Sequence, residues 1–505
     1  MSLLRPSLVV GAASIGARLV GFARDVLFAQ AFGAGPVADS FLAAFRFLDL
    51  VRRMVAEGGL NPALVPILTR LRAPEAARLA GDALLAFGAI LLGATALVVA
   101  AAGPLMVALA PGLAGREEAV ALAALCVRLS WPLAVGAVLA SLLGAALNAG
   151  GRYAAAAFTA WVPGLAMILV LLGLRHAELA ADRKAAILAG SLSLAGLVQF
   201  AIMAGAARRA GLLAFGPPLR SPALREFGRS GPALIAAGGA TQVFMIAGMQ
   251  VASLWPSGVS RLFYAERVAY LASALIAAIV SAVLLPELAR RVQAGRAAAV
   301  LDSQNRALEY ALLIAVPAGV ALAVLADPVT AVLFERGAFD REDGAATAAI
   351  LRGLALGVPA VAAGKILSQT VFARGAVRIA LLAALAGLAA TGAGALALAA
   401  AVGIGGVGYG ISLGAAVHAA ALVAGLRALG LWGIDRRLAG RAARAAAASA
   451  LMGAALWGLA AALGPVTGGP ALAVLCAAGL GVYAAAALLM RAADLREIAR
   501  LAEKA

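Results

Sequence analysis

Continuous apolar runs of about 20 residues recur along nearly the whole chain, and few structures can accommodate them. Inside a bilayer every backbone N–H and C=O must be satisfied internally, which leaves helix bundles and closed barrels. Barrel strands alternate apolar and polar residues, and these runs do not alternate, so they must be helices. Only 13% of the 505 residues are charged, against about 25% in soluble proteins. The abundance of Ala and Gly suits membrane helices that pack closely. The chain therefore reads as an all-α polytopic membrane protein.

About fourteen spans are expected, roughly at 6–31, 36–67, 80–109, 118–147, 154–174, 184–208, 223–252, 258–286, 303–326, 345–372, 377–401, 406–429, 441–463 and 470–490. With the N-terminus cytoplasmic, the inside segments collect most of the basic residues. They include Arg70, Arg72 and Arg78, Arg208 and Arg209, Arg290 and Arg291, Arg436, Arg437 and Arg441, and Arg491 to Lys504. The outside loops hold few, among them Arg116, Arg175, Arg336 and Arg341. Positive charge favours the cytoplasmic side, so both termini are expected inside. The net charge of +17 is then mostly a topology signal, not a sign of nucleic-acid binding. The first apolar run follows a single basic residue, Arg5, without a convincing cleavage site, and reads as a retained helix. Cys126 and Cys476 lie far apart in apolar runs, so neither a disulfide framework nor a metal site is expected.

The chain also repeats itself. Pro66 in Leu64-Val65-Pro66 matches Pro286 in Leu284-Leu285-Pro286, Pro104 matches Pro328, and Pro132 matches Pro359, all at nearly constant spacing. This predicts two pseudo-symmetric six-helix lobes, residues 1–215 and 216–435, with a C-terminal helix pair and tail at 436–505. Transporters built from such parallel repeats place the substrate site between the halves.

Against this apolar background the first two spans hold Arg18, Arg24, Asp25, Asp39, Arg46, Asp49, Arg52, Arg53 and Glu57. A charge near the bilayer midplane costs about 2.5–3.5 kcal/mol on insertion scales. Such a group needs a wet cavity, internal pairing or an ionic ligand. Helical spacing puts Asp39, Arg46, Asp49, Arg53 and Glu57 on one stripe, with Arg52 about 100° away. Internal pairing of Arg53 with Glu57 and Arg46 with Asp49 would make these charges structural. In span eight, Tyr264, Arg267 and Tyr270 recur every three residues and are expected to share a face, and Glu266 is suited to neutralise an arginine. Lys365 in span ten is a further buried-cation candidate. Clustered arginines in a low-dielectric cavity suit a phosphate or diphosphate, because the guanidinium fork binds its oxygens bidentately.

No catalytic constellation is present: His176 and His418 stand alone, and no Walker motif occurs. Gly403-Ile404-Gly405-Gly406-Val407-Gly408 lacks the preceding strand of a dinucleotide site and reads as an interhelical turn. Neither an enzyme nor a cofactor is expected.

Arg18-Leu19-Val20-Gly21-Phe22-Ala23-Arg24-Asp25, Phe32-Gly33-Ala34-Gly35 and Arg52-Arg53-Met54-Val55-Ala56-Glu57-Gly58-Gly59 resemble the MurJ/MviN lipid II flippases. So do Tyr264-Ala265-Glu266-Arg267 and Leu333-Phe334-Glu335-Arg336-Gly337-Ala338-Phe339. The resemblance implies the multidrug/oligosaccharidyl-lipid/polysaccharide exporter fold. It implies translocation of the undecaprenyl-diphosphate-linked peptidoglycan precursor, lipid II, across the bacterial inner membrane by alternating access. Membrane lipids and cell-wall synthesis proteins are the partners it suggests. By motif match Arg18, Arg24 and Arg267 would hold the diphosphate, with Asp39, Arg46, Arg52 and Glu266 as supporting charges and Arg52 also a substrate-binding candidate. The reading of the residues adds Asp25, Arg53, Glu57, Tyr270 and Lys365 to Asp39, Arg46 and Glu266 as candidates to line or gate the cavity. Two positions depart from the family pattern: Ala17 stands where Ser is common, and Tyr270 where an acid is common. Spans eleven and twelve carry no Asp or Glu, and span seven carries only Glu226 near its cytoplasmic start, so no sodium site is carried over, and membrane potential is the preferred drive. An exporter of other lipid-linked oligosaccharides or of drugs, and a non-transporting scaffold, are the alternatives.

Overall fold

The apolar runs fold as helices, and no strand occurs among the described residues. The structure is a computed structural model that describes residues 4–216, 244–271, 297–373, 376–430, 432–464 and 466–493. It divides into two compact units, Met1–Ser260 and Arg261–Ala505.

The first unit contains α1 (Leu4–Phe32) and α2 (Pro36–Val51). The latter continues as a π-helix (Arg52–Leu60) and then α3 (Asn61–Leu68). It also contains α4 (Ala73–Ala100), α5 (Ala102–Leu109), α6 (Glu117–Ala149), α7 (Tyr153–Thr159), α8 (Val162–Gly173), α9 (Ala181–Arg209) and α10 (244–252). Helix α11 (258–271) starts at the end of this unit and runs into the next. The second unit adds α12 (Ala297–Val324), α13 (Ala326–Phe334), α14 (Arg341–Ala373), α15 (Val377–Val402), α16 (Gly405–Ala428), α17 (Arg436–Leu463) and α18 (Gly469–Leu489).

Ten helices among the described residues are long and apolar enough to cross a membrane, with Tyr153–His176 counting as one. The runs expected to span at 6–31 and 36–67 are α1 and the α2–π–α3 rod, which carry the buried charges and fall outside those ten. Of the runs at 223–252 and 258–286, only 244–252 and 258–271 are described, so the Pro286 motif lies outside the described residues.

The repeat is visible as element lengths. Helices α4, α5 and α6 have 28, 8 and 33 residues. Helices α12, α13 and α14 have 28, 9 and 33. Pro132 and Pro359 lie inside the two 33-residue helices.

Each unit is built around one helix. In the first, α6 is flanked by α2, α4 and α9 and buries Val138, Leu142 and Leu143. In the second, α16 lies against α14 and α15 at backbone range. A Cβ on Gly408 would come within 2.2 Å of the Ile350 carbonyl oxygen, and one on Gly410 within 2.2 Å of the Ala395 nitrogen. The glycine run therefore begins a helix at Gly405. Only Gly403 and Ile404 form the turn expected over the whole run, with Gly403 in the left-handed region at φ 71°. Small residues are what allow membrane helices to pack this closely. Gly410→Ala should cost about 1–3 kcal/mol by overpacking. Gly392→Ala, which meets nothing within 4 Å, should be neutral to stabilising by up to about 1 kcal/mol. Thermal denaturation of the two purified variants measures the difference.

Helix α17 is pinned to α12 by charge. Asp435 caps it, accepting the Leu438 N–H at 2.6 Å. Burial pushes the Asp435 carboxyl up, but that bond, Arg306 and Asn305 outweigh it and hold the group below its usual range. The buried Glu309 on α12 accepts from Arg306, Arg437 and Arg441. Both cysteines are free.

Candidate functional site

The first cluster sits where α1 meets α2. Phe28 stacks on Phe32 and Phe41 at 4.8 and 5.0 Å, and Phe41 on Phe45 at 6.3 Å. The i, i+4 spacing within each helix makes this an apolar seam. Arg24 lies at its edge, 9% exposed. Its guanidinium is 4.9 Å over the Phe45 ring and donates from Nε and Nη2 to Asp25 Oδ1 at 2.8 and 2.6 Å. Asp25 is 2% exposed. Seven residues make two turns of a helix, so Asp25 lies on the face of Arg18 while Arg24 starts about 100° away. The long arginine side chain instead folds back on its neighbour. Arg18 is half-buried and makes no ion pair among the described residues. Around it, Trp161 donates to the Ala13 carbonyl at 2.8 Å and packs α8's start on α1.

The second cluster lies where α2 gives way to the π-helix. Asp49 accepts from Arg52 through Oδ1 and from Arg53 through Oδ2, each at 2.7 Å. Arg53 thus shares, with Arg52, a carboxylate one turn back, a contact the expected pairings of Arg46 with Asp49 and Arg53 with Glu57 did not include. Arg52, set apart by spacing, joins the same group, because Asp49 lies between the directions of its i+3 and i+4 neighbours. From Arg52 onward the helix has a π repeat, so a stripe drawn with 3.6 residues per turn ceases to apply there. Such π segments are rare and frequent at functional sites. Arg46 is half-buried on α2, and the Glu57 side chain lies outside the described residues.

Asp39 does something separate. It is 4% exposed, and its Oδ1 accepts the Ser260 backbone N–H at 2.8 Å and the Ser260 hydroxyl at 2.6 Å. An α2 carboxylate thus caps the first turn of α11, where unsatisfied N–H groups and the positive end of the helix dipole favour an anion.

In the second unit, Glu266 is buried and Arg267 is half-buried, its guanidinium 4.3 Å over the Phe263 ring. Tyr264, Arg267 and Tyr270 do not share one face. Tyr264 is 0% exposed while Tyr270 is 47% exposed, because six residues on a 3.6-residue helix leave a 120° offset. Arg261 is bound to Asp343, with Nη2 to Oδ1 at 2.8 Å. Lys365, expected as a buried cation, is instead exposed on α14. Arg352 pairs with Asp327, and Arg128 donates to the Val99 carbonyl at 3.1 Å, both structural roles.

Sequence reasoning passed over Ser260, Phe45, Phe263 and Asp343, which hold the charged residues in place. Ser257, just before the helix that begins at 258, is a helix-start signal that puts Ser260 in the first turn. Nothing local announces Asp343.

Apolar helices carrying ion-paired and half-buried arginines define a polytopic membrane transporter. The model of the family "Lipid II flippase MurJ" matches residues 28–466. "Probable lipid II flippase MurJ" of Rhizobium meliloti is 32% identical over 465 residues, which cover 90% of this chain and 86% of the relative. The fold is similar to that of a solved "Lipid II flippase MurJ, inward closed conformation", with a TM-score of 0.79 at 19% identity over 96% of this chain and 99% of the other. It is also similar to an inward-facing multidrug resistance MATE family transporter of the MOP superfamily, with a TM-score of 0.67 at 18% identity over 82% and 94%. The chain belongs to the lipid II flippase MurJ family.

Proposed function

We propose that this protein translocates lipid II, the undecaprenyl-diphosphate-linked peptidoglycan precursor, from the inner to the outer leaflet of the bacterial inner membrane. Family membership supports the substrate class. The observation that carries the site is Arg18, a half-buried cation on an apolar helix with no ion pair among the described residues. A cation there is costly unless an anion reaches it. Arg24, preset by Asp25 and Phe45, lies six residues further along the same helix. Arg18, Arg24, Arg267 and Arg52 are the proposed diphosphate-binding residues. Asp25, Asp39, Arg46, Arg53, Glu57, Glu266, Tyr270 and Lys365 are proposed to shape or gate the path. The proposed lobes are 1–215 and 216–435, followed by the helix pair from 436, with both termini cytoplasmic. No bond is made or broken in this reading, so the protein is not an enzyme.

Depletion of the native flippase from a bacterial host, with this chain supplied in its place, tests the reading. Growth and outer-leaflet lipid II should both be restored. Accumulation of lipid II in the inner leaflet despite membrane insertion of the chain would point to another lipid-linked substrate or to a scaffold.

A further inference from the structure

The motif Leu333-Phe334-Glu335-Arg336-Gly337-Ala338-Phe339 has no part in the site described so far. It forms the end of α13 and the turn into α14. Gly337 takes φ 65°, a left-handed conformation that a residue with a Cβ adopts only at a cost. The reversal brings Phe334 and Phe339 together at 5.8 Å. Both are buried, at 0% and 2% exposure, and Tyr264 of α11 is buried with them at 0%. Tyr264 lies 5.3 Å from Phe334 and 5.2 Å edge-on to Phe339. Tyr264 in turn meets Phe263 edge-on at 5.9 Å, and Phe263 is the ring under the Arg267 guanidinium.

An unbroken series of ring contacts therefore runs from the α13–α14 turn to Arg267. An ionic contact holds the same helix one turn earlier. Asp340 Oδ1 accepts the Asp343 N–H at 2.8 Å, which fixes the start of α14. Asp343 then accepts from Arg261 Nε and Nη2 at 3.1 and 2.8 Å. The Arg261 and Asp343 side chains are 14% and 7% exposed, so the pair is poorly screened. Two rigid grips one turn apart set the rotation of α11 about its axis. Phe263 then sets where the Arg267 guanidinium lies, since a cation over an aromatic face is held within about 6 Å of the centroid.

We propose that Phe263, Tyr264, Phe334 and Phe339 are positioning residues, a clasp that presents Arg267 to the anionic group of the substrate. The clasp rests on the lipid II reading for the identity of that group. Its geometry lies wholly within the second unit.

The test is a double-mutant cycle on the full chain in lipid nanodiscs, with undecaprenyl diphosphate as the probe. Phe339→Leu and Phe263→Leu keep apolar bulk while removing a ring. Each should weaken binding about three- to tenfold, the range that an aromatic or cation–π contact contributes. In an Arg267→Ala background neither should weaken it further, because coupled residues are non-additive. Hydrogen exchange over 261–271 is the second measurement, and Phe339→Leu should raise it about three- to tenfold.

Equal losses in both backgrounds would make the rings merely structural and overturn the proposal. Unchanged exchange and unchanged binding in Phe339→Leu would overturn the clasp itself. Parent-like binding by Arg267→Ala would overturn the positioning role while leaving lipid II as substrate. Failure of the parent chain to bind the probe, with exchange still rising in Phe339→Leu, would overturn the substrate reading and, with it, the role assigned to the clasp.

Discussion

Arg24→Ala should reduce lipid II export to the level of cells lacking the protein, and should also destabilise the fold. Arg24 donates twice to Asp25 and lies on Phe45 in a region with little solvent. Breaking a buried ion pair from one side costs about 3 kcal/mol, because the remaining charge keeps its desolvation penalty. Loss of a charge-assisted contact to the diphosphate removes about 2–5 kcal/mol of binding on top of that. The two effects separate in a second variant. Arg24→Ala combined with Asp25→Ala deletes both charges and should recover most of the thermal stability without recovering export. Arg24→Lys should be intermediate, since a point charge replaces the planar fork. The measurements are thermal unfolding in detergent and lipid II leaflet location in depleted cells. Export by the stable double variant would remove Arg24 from the site and leave it a structural partner of Asp25.

The second large effect is expected at Asp39. Its Oδ1 takes two hydrogen bonds from Ser260, and bonds to a charged acceptor are worth about 1.5–3 kcal/mol each. Asp39→Ala should therefore loosen the start of α11 by about 3 kcal/mol, less whatever water restores. Asp39→Asn keeps an oxygen acceptor and should cost less, losing the charge assistance of the two bonds, about 1 kcal/mol each, and the attraction to the helix dipole, about 0.3–1 kcal/mol. If alternating access requires this cap to open, fixing it shut must stop transport. Asp39→Cys with Ser260→Cys, in a background of Cys126→Ala and Cys476→Ala, should block export when oxidised and restore it on reduction. Undiminished export by the cross-linked chain would show that the cap stays closed throughout the cycle.

Several features were legible in the sequence because they obey short-range rules. Apolar runs in a bilayer can only be helices, and the proline register predicted a repeat that reappears as α4–α5–α6 and α12–α13–α14. Arg18, Arg24, Asp39 and Arg267 stood out because charge on an apolar helix is expensive. Partner choice was not legible. Spacing offers Arg53 a carboxylate four residues away on either side, and only the structure shows that it donates to Asp49 together with Arg52. Beyond Arg52 the backbone is a π-helix, where a 3.6-residue stripe no longer tells which side chains meet. Tyr264 and Tyr270 were placed on one face by a three-residue step that drifts round the helix, and one is buried while the other is exposed.

By itself the sequence determined the class of protein, the helical build, the duplication and the residues whose charge needs an explanation. All of these follow from hydropathy and spacing along the chain. Only the tertiary structure decided what each charge is bound to: Asp25 to Arg24, Asp49 to two arginines, Asp39 to the N–H and hydroxyl of Ser260, and Arg261 to Asp343. The last two join groups more than 80 residues apart, and a buried carboxylate is satisfied by whichever donor packing delivers to it. Packing also closed the rings of the α13–α14 turn around Tyr264, since aromatic contacts depend on distance and angle, which spacing in a sequence does not encode.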